Sequence, residues 1–333
     1  MHSRAPRPVT DALEPRAVGR DGRFEVAPGR WLAYRTFGDA AGTPIIALHG
    51  TPGSRLKFTV ADPIARRLGQ HVIAVDRWGY GDTASHPAPS LAAFAVDIAA
   101  LADALGLGRF AVMGVSGGGP FAVAVATELA ERVSAVALVA PVGPIASEAD
   151  DEITAFHRFC FGRFARSPAA IRAVFGGFKA ALALSPALGL RAAMIRAPEA
   201  DRAVSRQPDV AARLAETFIE GLRPGAEGPV TDLGIFAEPW GLDLGWAHSP
   251  ACLWLGTEDR NVPGPAARRL ARRLPDCRIV EIQGAGHLWI ANHGTLVRYS
   301  ARTLDRGRDG RTITADRTFD VPASSFVGVR GND

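Results

Sequence analysis

Phe110-Ala111-Val112-Met113-Gly114-Val115-Ser116-Gly117-Gly118-Gly119-Pro120 is a short apolar run, then a glycine-rich turn around one serine, then a proline that opens a run of small residues. The apolar run reads as a buried strand and Pro120–Glu131 as a helix. Between them the serine sits on a sharp strand-to-helix turn that leaves its Oγ exposed. The turn also aims a helix N-terminus at the reacting centre, which favours developing negative charge. A phosphate loop would need a lysine after its glycines, and none is present. A dinucleotide fingerprint needs G-x-G-x-x-G, which Gly114, Gly117 and Gly119 do not match. Ser116 is therefore the expected nucleophile.

Outward from this turn, apolar strands alternate with helices. Pro44–Leu48 runs into His49-Gly50, and His71–Val75 into Asp76. Ala92–Leu105 is apolar at helical spacing and stops at Gly106. Val133–Ala140, Ala251–Gly256 and Cys277–Gln283 are further strands, with a helix at Pro265–Leu274. Such alternation implies a mostly parallel sheet covered on both faces. Upstream, Arg23–Val26 and Trp31–Phe37 flank Pro28-Gly29, a hairpin signal. The rhythm breaks from Ile145 to about Gly234, where helical stretches are expected at Glu152–Phe164, Ala169–Ala183 and Val210–Leu222. The expected organisation is a flexible arm (1–21), a first core segment (22–144), a helical cap (145–234), a second core segment (235–306) and a loose tail (307–333). Phe156, Phe159, Phe161, Phe164, Phe175 and Phe178 could line a pocket, but the ordinary role for most of them is the cap's own core.

Composition narrows the class. Hydrophobic residues make up 47% and charged residues 22% of 333, enough for a large core without disulfides. The net charge of +4 comes mostly from scattered arginines, whereas phosphate binding wants a clustered basic face. The three cysteines form no C-x-x-C, so neither a disulfide framework nor a structural zinc site is expected. The N-terminus lacks an apolar signal core, and no apolar run is long enough to span a bilayer. The expectation is a soluble, cytoplasmic protein whose partner is a small-molecule substrate. No nucleic acid or membrane is expected, and a homodimer is left open.

A serine nucleophile needs a base, and the base needs an orienting acid. Of eight histidines, His287 alone follows the last strand in a glycine-rich loop, Gly284-Ala285-Gly286-His287. The acid is expected at a strand end between serine and histidine. Asp259, in Gly256-Thr257-Glu258-Asp259, fits, with Glu258, Asp232 and Asp243 as alternatives. An acyl-transfer intermediate also needs two N–H donors for its oxyanion. Gly117, next to the serine, is one, and the loop His49-Gly50-Thr51-Pro52-Gly53-Ser54 offers the other.

Together these motifs, with Asp76-Arg77-Trp78-Gly79-Tyr80-Gly81, resemble the α/β-hydrolase superfamily, in its cap-bearing serine branch, over roughly residues 22–306. The resemblance implies an eight-stranded, mostly parallel sheet with helices on both faces and a helical cap. It also implies that Thr51, the position after His-Gly, supplies the second oxyanion donor, and that Asp76–Gly81 is a structural turn. Epoxide hydrolases and haloalkane dehalogenases of this fold use an aspartate nucleophile, which Ser116 replaces. Proline iminopeptidases carry a second glycine and a tryptophan where Thr51 and Gly117 stand. The implied activity is hydrolysis of a small to medium hydrophobic ester or lactone, with no metal or cofactor. Carbon–carbon bond hydrolysis, aminopeptidase activity and a receptor-like role with a retained triad are the alternatives.

Overall fold

A computed structural model describes residues 19–145, 153–291 and 313–315. The arm up to residue 18, the first residues of the expected cap (146–152) and most of the last forty residues lie outside them, as do His2 and His293. The sheet is built from β1 (Arg20–Ala27), β2 (Arg30–Gly38), β3 (Thr43–Leu48), β4 (Gln70–Val75), β5 (Phe110–Val115), β6 (Val133–Val139), β7 (Ala251–Gly256), β8 (Cys277–Ile282) and β9 (Ile313–Ala315). Its order is β1-β2-β4-β3-β5-β6-β7-β8-β9. The β1–β2 hairpin turns at Pro28-Gly29, and β2 lies antiparallel to β4; every other pairing is parallel.

The ninth strand departs from the expected eight. It pairs Ile313 with Val280 on β8 and comes from the stretch read as tail. A free strand edge exposes unpaired N–H and C=O groups that a passing segment can satisfy. Three residues are too few to show a period-two pattern, so the sequence conceals it.

Strand side chains alternate between faces, and here both faces are buried. Ile46, Leu48, Val112, Leu138 and Leu253 pack with Phe94 and Phe121, on α2 (Leu91–Ala104) and α3 (Gly119–Glu128). Their neighbours Ile45, Ala47, Ala111, Val139 and Trp254 pack with Phe58, Ala65 and Trp289 on the opposite face. This is why these strands read as unbroken apolar runs.

Between β6 and β7 the described chain is helical, as the sequence suggests, but more finely divided. It comprises α4 (Ala155–Arg158), a wider turn at Phe159–Phe164, α5 (Pro168–Leu184), α6 (Pro186–Ala193), α7 (Glu199–Ser205), α8 (Pro208–Gly221) and α9 (Glu227–Phe236). Prolines open α5, α6 and α8, where a missing N–H costs nothing. The remaining core helices are α1 (Asp62–Arg67) and α10 (Gly264–Arg273). Among the described residues, no helix is long and apolar enough to cross a membrane.

Candidate active site

Four loops meet at the carboxyl edge of the parallel strands, the edge where open α/β sheets hold their ligands. Ser116 follows β5 with φ of 53°, a left-handed conformation that non-glycine residues adopt only when their surroundings enforce it. The enforcement is packing. A Cβ at Gly118 would lie 2.4 Å from the Leu48 carbonyl oxygen, so only glycine lets α3 begin this close to β3.

His287 opens the turn after β8, and its Nε2 lies 3.0 Å from Ser116 Oγ. Its Nδ1 lies 2.7 Å from Asp259 Oδ2. The other Asp259 oxygen accepts the N–H groups of Asn261 and Val262, at 2.8 and 3.2 Å. Asp259 is thus locked by its own turn and almost fully buried, with 1% of its side chain exposed. Burial opposes protonation of His287, but the charge of Asp259, its hydrogen bond and the charge of Asp201 outweigh burial. The imidazole pKa is held above its ordinary value. Ser116, His287 and Asp259 are therefore brought together as their order in the sequence suggested.

The alternatives lie elsewhere. Glu258 is exposed beside Asp259. Asp243 accepts the Gly245 N–H in a short turn. Asp232, on α9, is the buried counter-ion of Arg77 and accepts hydrogen bonds from Tyr80 at 2.6 Å and Thr51 Oγ1 at 2.5 Å. His49 accepts the Arg77 N–H at Nε2 and contacts the Gly50 carbonyl through Nδ1. Burial and the Arg77 charge push its pKa well down. His157 reaches the cavity, but its nitrogens contact Thr154 Oγ1 and the Arg260 carbonyl.

Thr51 lies against the serine turn. A Cβ on Gly117 would sit 2.1 Å from Thr51 Oγ1 and 3.2 Å from its nitrogen. The loop is held from behind by Arg77, whose guanidinium donates to the His49 and Gly50 carbonyls, each at 3.1 Å, and to Thr51 Oγ1 at 3.2 Å. The Asp76–Gly81 turn is thus the clamp of the Thr51 loop.

One carboxylate escaped sequence reasoning. Asp201, on α7, is fully buried and accepts the N–H groups of His287 and Leu288 at 3.0 and 2.6 Å. Nothing local in Glu199-Ala200-Asp201 marks it; the contact spans 86 positions.

A cavity of about 360 Å³ opens above Ser116. Phe156, Phe161, Phe164, Phe175 and Phe178 line it, whereas Phe159 is 53% exposed. This corrects the expectation that most of these aromatics form the insertion's own core. Phe161, Phe164 and Phe175 also pack against the main core, so one side of these rings meets the interior and another the cavity.

A serine raised on a strand-to-helix turn, a histidine after the last core strand and an acid between them, on this sheet order, define an α/β hydrolase. Residues 45–298 match the model of the Alpha/beta hydrolase family; the chain belongs to that family and is a hydrolase. A curated relative, the sn-1-specific diacylglycerol lipase ABHD11 of Mus musculus, is 32% identical over 127 residues, 38% of this chain. The chain spans 41% of that relative's length. Among solved structures, epoxide hydrolase A from Mycobacterium thermoresistibile is 19% identical at a TM-score of 0.65, covering 88% of this chain and all of that one. A thermophilic esterase from Thermogutta terrifontis is 22% identical at 0.61, covering 86% and 100%. The enol-lactonase from Burkholderia xenovorans LB400 is 22% identical at 0.60, covering 85% and 96%. At these identities the likeness is one of fold.

Proposed function

We propose that the protein is a serine hydrolase that cleaves small to medium hydrophobic carboxylic esters or lactones through an acyl-enzyme on Ser116. The observation that carries this reading is the 3.0 Å contact between His287 Nε2 and Ser116 Oγ at the floor of an aromatic cavity. In this reading Ser116, His287 and Asp259 form the catalytic triad. The Thr51 and Gly117 amides form the oxyanion hole, and the helices between β6 and β7 act as a cap.

The chemistry then runs in two halves. His287 takes the Ser116 proton as Oγ bonds to the substrate carbonyl carbon, and the carbonyl π pair moves onto oxygen, where the two amides hold it. The intermediate collapses; the C–O bond to the alcohol breaks, and the leaving oxygen takes the proton from His287. Water then attacks the acyl carbon, giving one proton to His287. Collapse releases the acid and returns that proton to Ser116. Asp259 keeps the proton-bearing nitrogen oriented and stabilises the imidazolium. Every step is proton transfer, addition to a carbonyl or collapse of the adduct, so the reading calls for no metal or cofactor.

The mouse relative is named for diacylglycerol lipase activity and two of the structural neighbours as an esterase and an enol-lactonase. These names support ester-type bonds over the carbon–carbon or peptide alternatives. The proposed compartment is the cytoplasm, a reading supported by the free thiols of Cys160, Cys252 and Cys277. The test is turnover of p-nitrophenyl butyrate with fluorophosphonate labelling, in wild type and Ser116→Ala. Wild type is expected to turn over and label, and Ser116→Ala to do neither. A wild type inert in both assays would overturn the proposal.

A further inference from the structure

Lys57 lies three residues beyond the His49–Ser54 loop, and its side chain lines the same cavity as Ser116 and His287. Much of the surrounding wall is apolar: Phe156, Phe161, Phe175, Leu214, Phe218 and Leu233. Among the described residues the Lys57 ammonium has neither an ion pair nor a hydrogen-bond partner. Its neighbour Arg55, by contrast, is held by Asp76, Asp21 and Glu220. The only other lysine, Lys179, donates to the Arg223 carbonyl. A second, much smaller hollow shares Lys57, Leu214, Thr217 and Ile290 with the cavity and is lined also by Arg213. An unpaired cation against an apolar wall is unfavourable until an anion meets it. Burial accordingly pushes the Lys57 ammonium down to about 8.

We propose that Lys57 is the specificity residue of this cavity, binding a carboxylate carried by the substrate. The preferred substrates are then esters or lactones with a second, free carboxylate, such as half-esters of dicarboxylic acids. The inference rests on the serine-hydrolase reading above for its chemistry, but not for its binding site. A single ammonium is a point charge that suits a carboxylate, whereas a phosphate dianion calls for several convergent donors. Lys57 also lowers the pKa of His287 by like-charge repulsion. A carboxylate paired with Lys57 would weaken that repulsion for the half-ester alone, so recognition is also read from adipate binding, which involves no turnover.

The experiment compares kcat/KM for mono-p-nitrophenyl adipate and p-nitrophenyl hexanoate, which match in chain length and differ by the terminal carboxylate. Wild type is expected to favour the half-ester about tenfold or more. Lys57→Met and Lys57→Gln should lower that ratio by a similar factor. In parallel, adipate binding to Ser116→Ala is measured by calorimetry, with and without Lys57→Met. In wild type, inhibition by adipate is compared with inhibition by neutral adipamide, which needs no Lys57 variant. A substrate ratio unchanged by either substitution, or equal inhibition by adipate and adipamide, would overturn the proposal. If the hexanoate ester is not turned over and Ser116 does not label, the serine-hydrolase reading fails. Adipate binding that disappears with Lys57 would then still establish the anion site.

Discussion

Asp201 holds His287 by its backbone: one carboxylate oxygen accepts the His287 N–H at 3.0 Å, and the other accepts the next N–H, that of Leu288, at 2.6 Å. His287 is thus fixed twice, at its ring by Asp259 and at its main chain by a helix from between β6 and β7. Asp201→Ala orphans both amides, at roughly 1–3 kcal/mol for each buried donor left unmet. The expected outcome is a lower melting temperature and a kcat reduced about tenfold with KM little changed, Asp201→Asn falling in between. Steady-state kinetics and thermal melts check this. Wild-type values for both variants would show that the contact has no role in placing His287.

The pH dependence follows from the raised pKa of His287. In its proposed role as base His287 must be neutral, so kcat/KM should rise with pH through a midpoint above the ordinary 6.5 of histidine. Asp259→Asn removes the charge that outweighs burial, so the midpoint should fall while the plateau drops on the order of 10³-fold or more. The stability sign is the reverse of an acid's. The His287–Asp259 pair adds stability that is fully present below the unfolded-state pKa and is lost as pH rises through the higher folded value. An acid limb below pH 6.5 in the wild type would contradict this.

Gly117→Ala places a methyl 2.1 Å from Thr51 Oγ1 and should push the Thr51 amide away from the proposed oxyanion hole. Loss of one such donor costs about 10²-fold or more in kcat. Adding Thr51→Gly removes the obstructing side chain and should restore part of the rate. The double-mutant cycle measures the coupling, and strict additivity would refute the contact.

Arg77 and Asp232 are both almost inaccessible to solvent, at 0% and 1% side-chain exposure. Either single change, Arg77→Met or Asp232→Leu, leaves a lone buried charge and should cost about 3–5 kcal/mol. The double variant should recover much of that in a denaturation experiment. A double variant as unstable as the sum of the singles would mean that the two side chains act independently.

Ser116, His287 and Asp259 were legible because each sits at a strand end, where an apolar run stops and a glycine-containing turn begins. The strands themselves were legible because burial on both faces makes them continuous in sequence. Asp201 and Asp232 were not, for the opposite reason. Each lies on a helix of the β6–β7 segment, and what it does depends on a loop 86 or 155 positions away. The five cavity phenylalanines share their helical spacing with ordinary core residues, so only the packing of short helices over the sheet tells the two apart. Lys57 carries no local signature at all; its meaning comes from the absence of a partner among the described residues.

Those two remote aspartates bear on modularity. Helices laid over a sheet invite transplantation, since exchanging them between relatives promises a new pocket on an old scaffold. Here the graft would sever the struts of the scaffold itself, because Asp201 braces the loop of His287 and Asp232 braces the loop that carries Thr51. A chimaera that imports other helices without these two carboxylates would inherit the donor's pocket over a collapsed floor. Recombination in this chain therefore has to treat α7 and α9 as parts of the scaffold, and α8 with them, because its Glu220 holds Arg55 and its Thr217 bonds Ser54 at the end of the Thr51 loop.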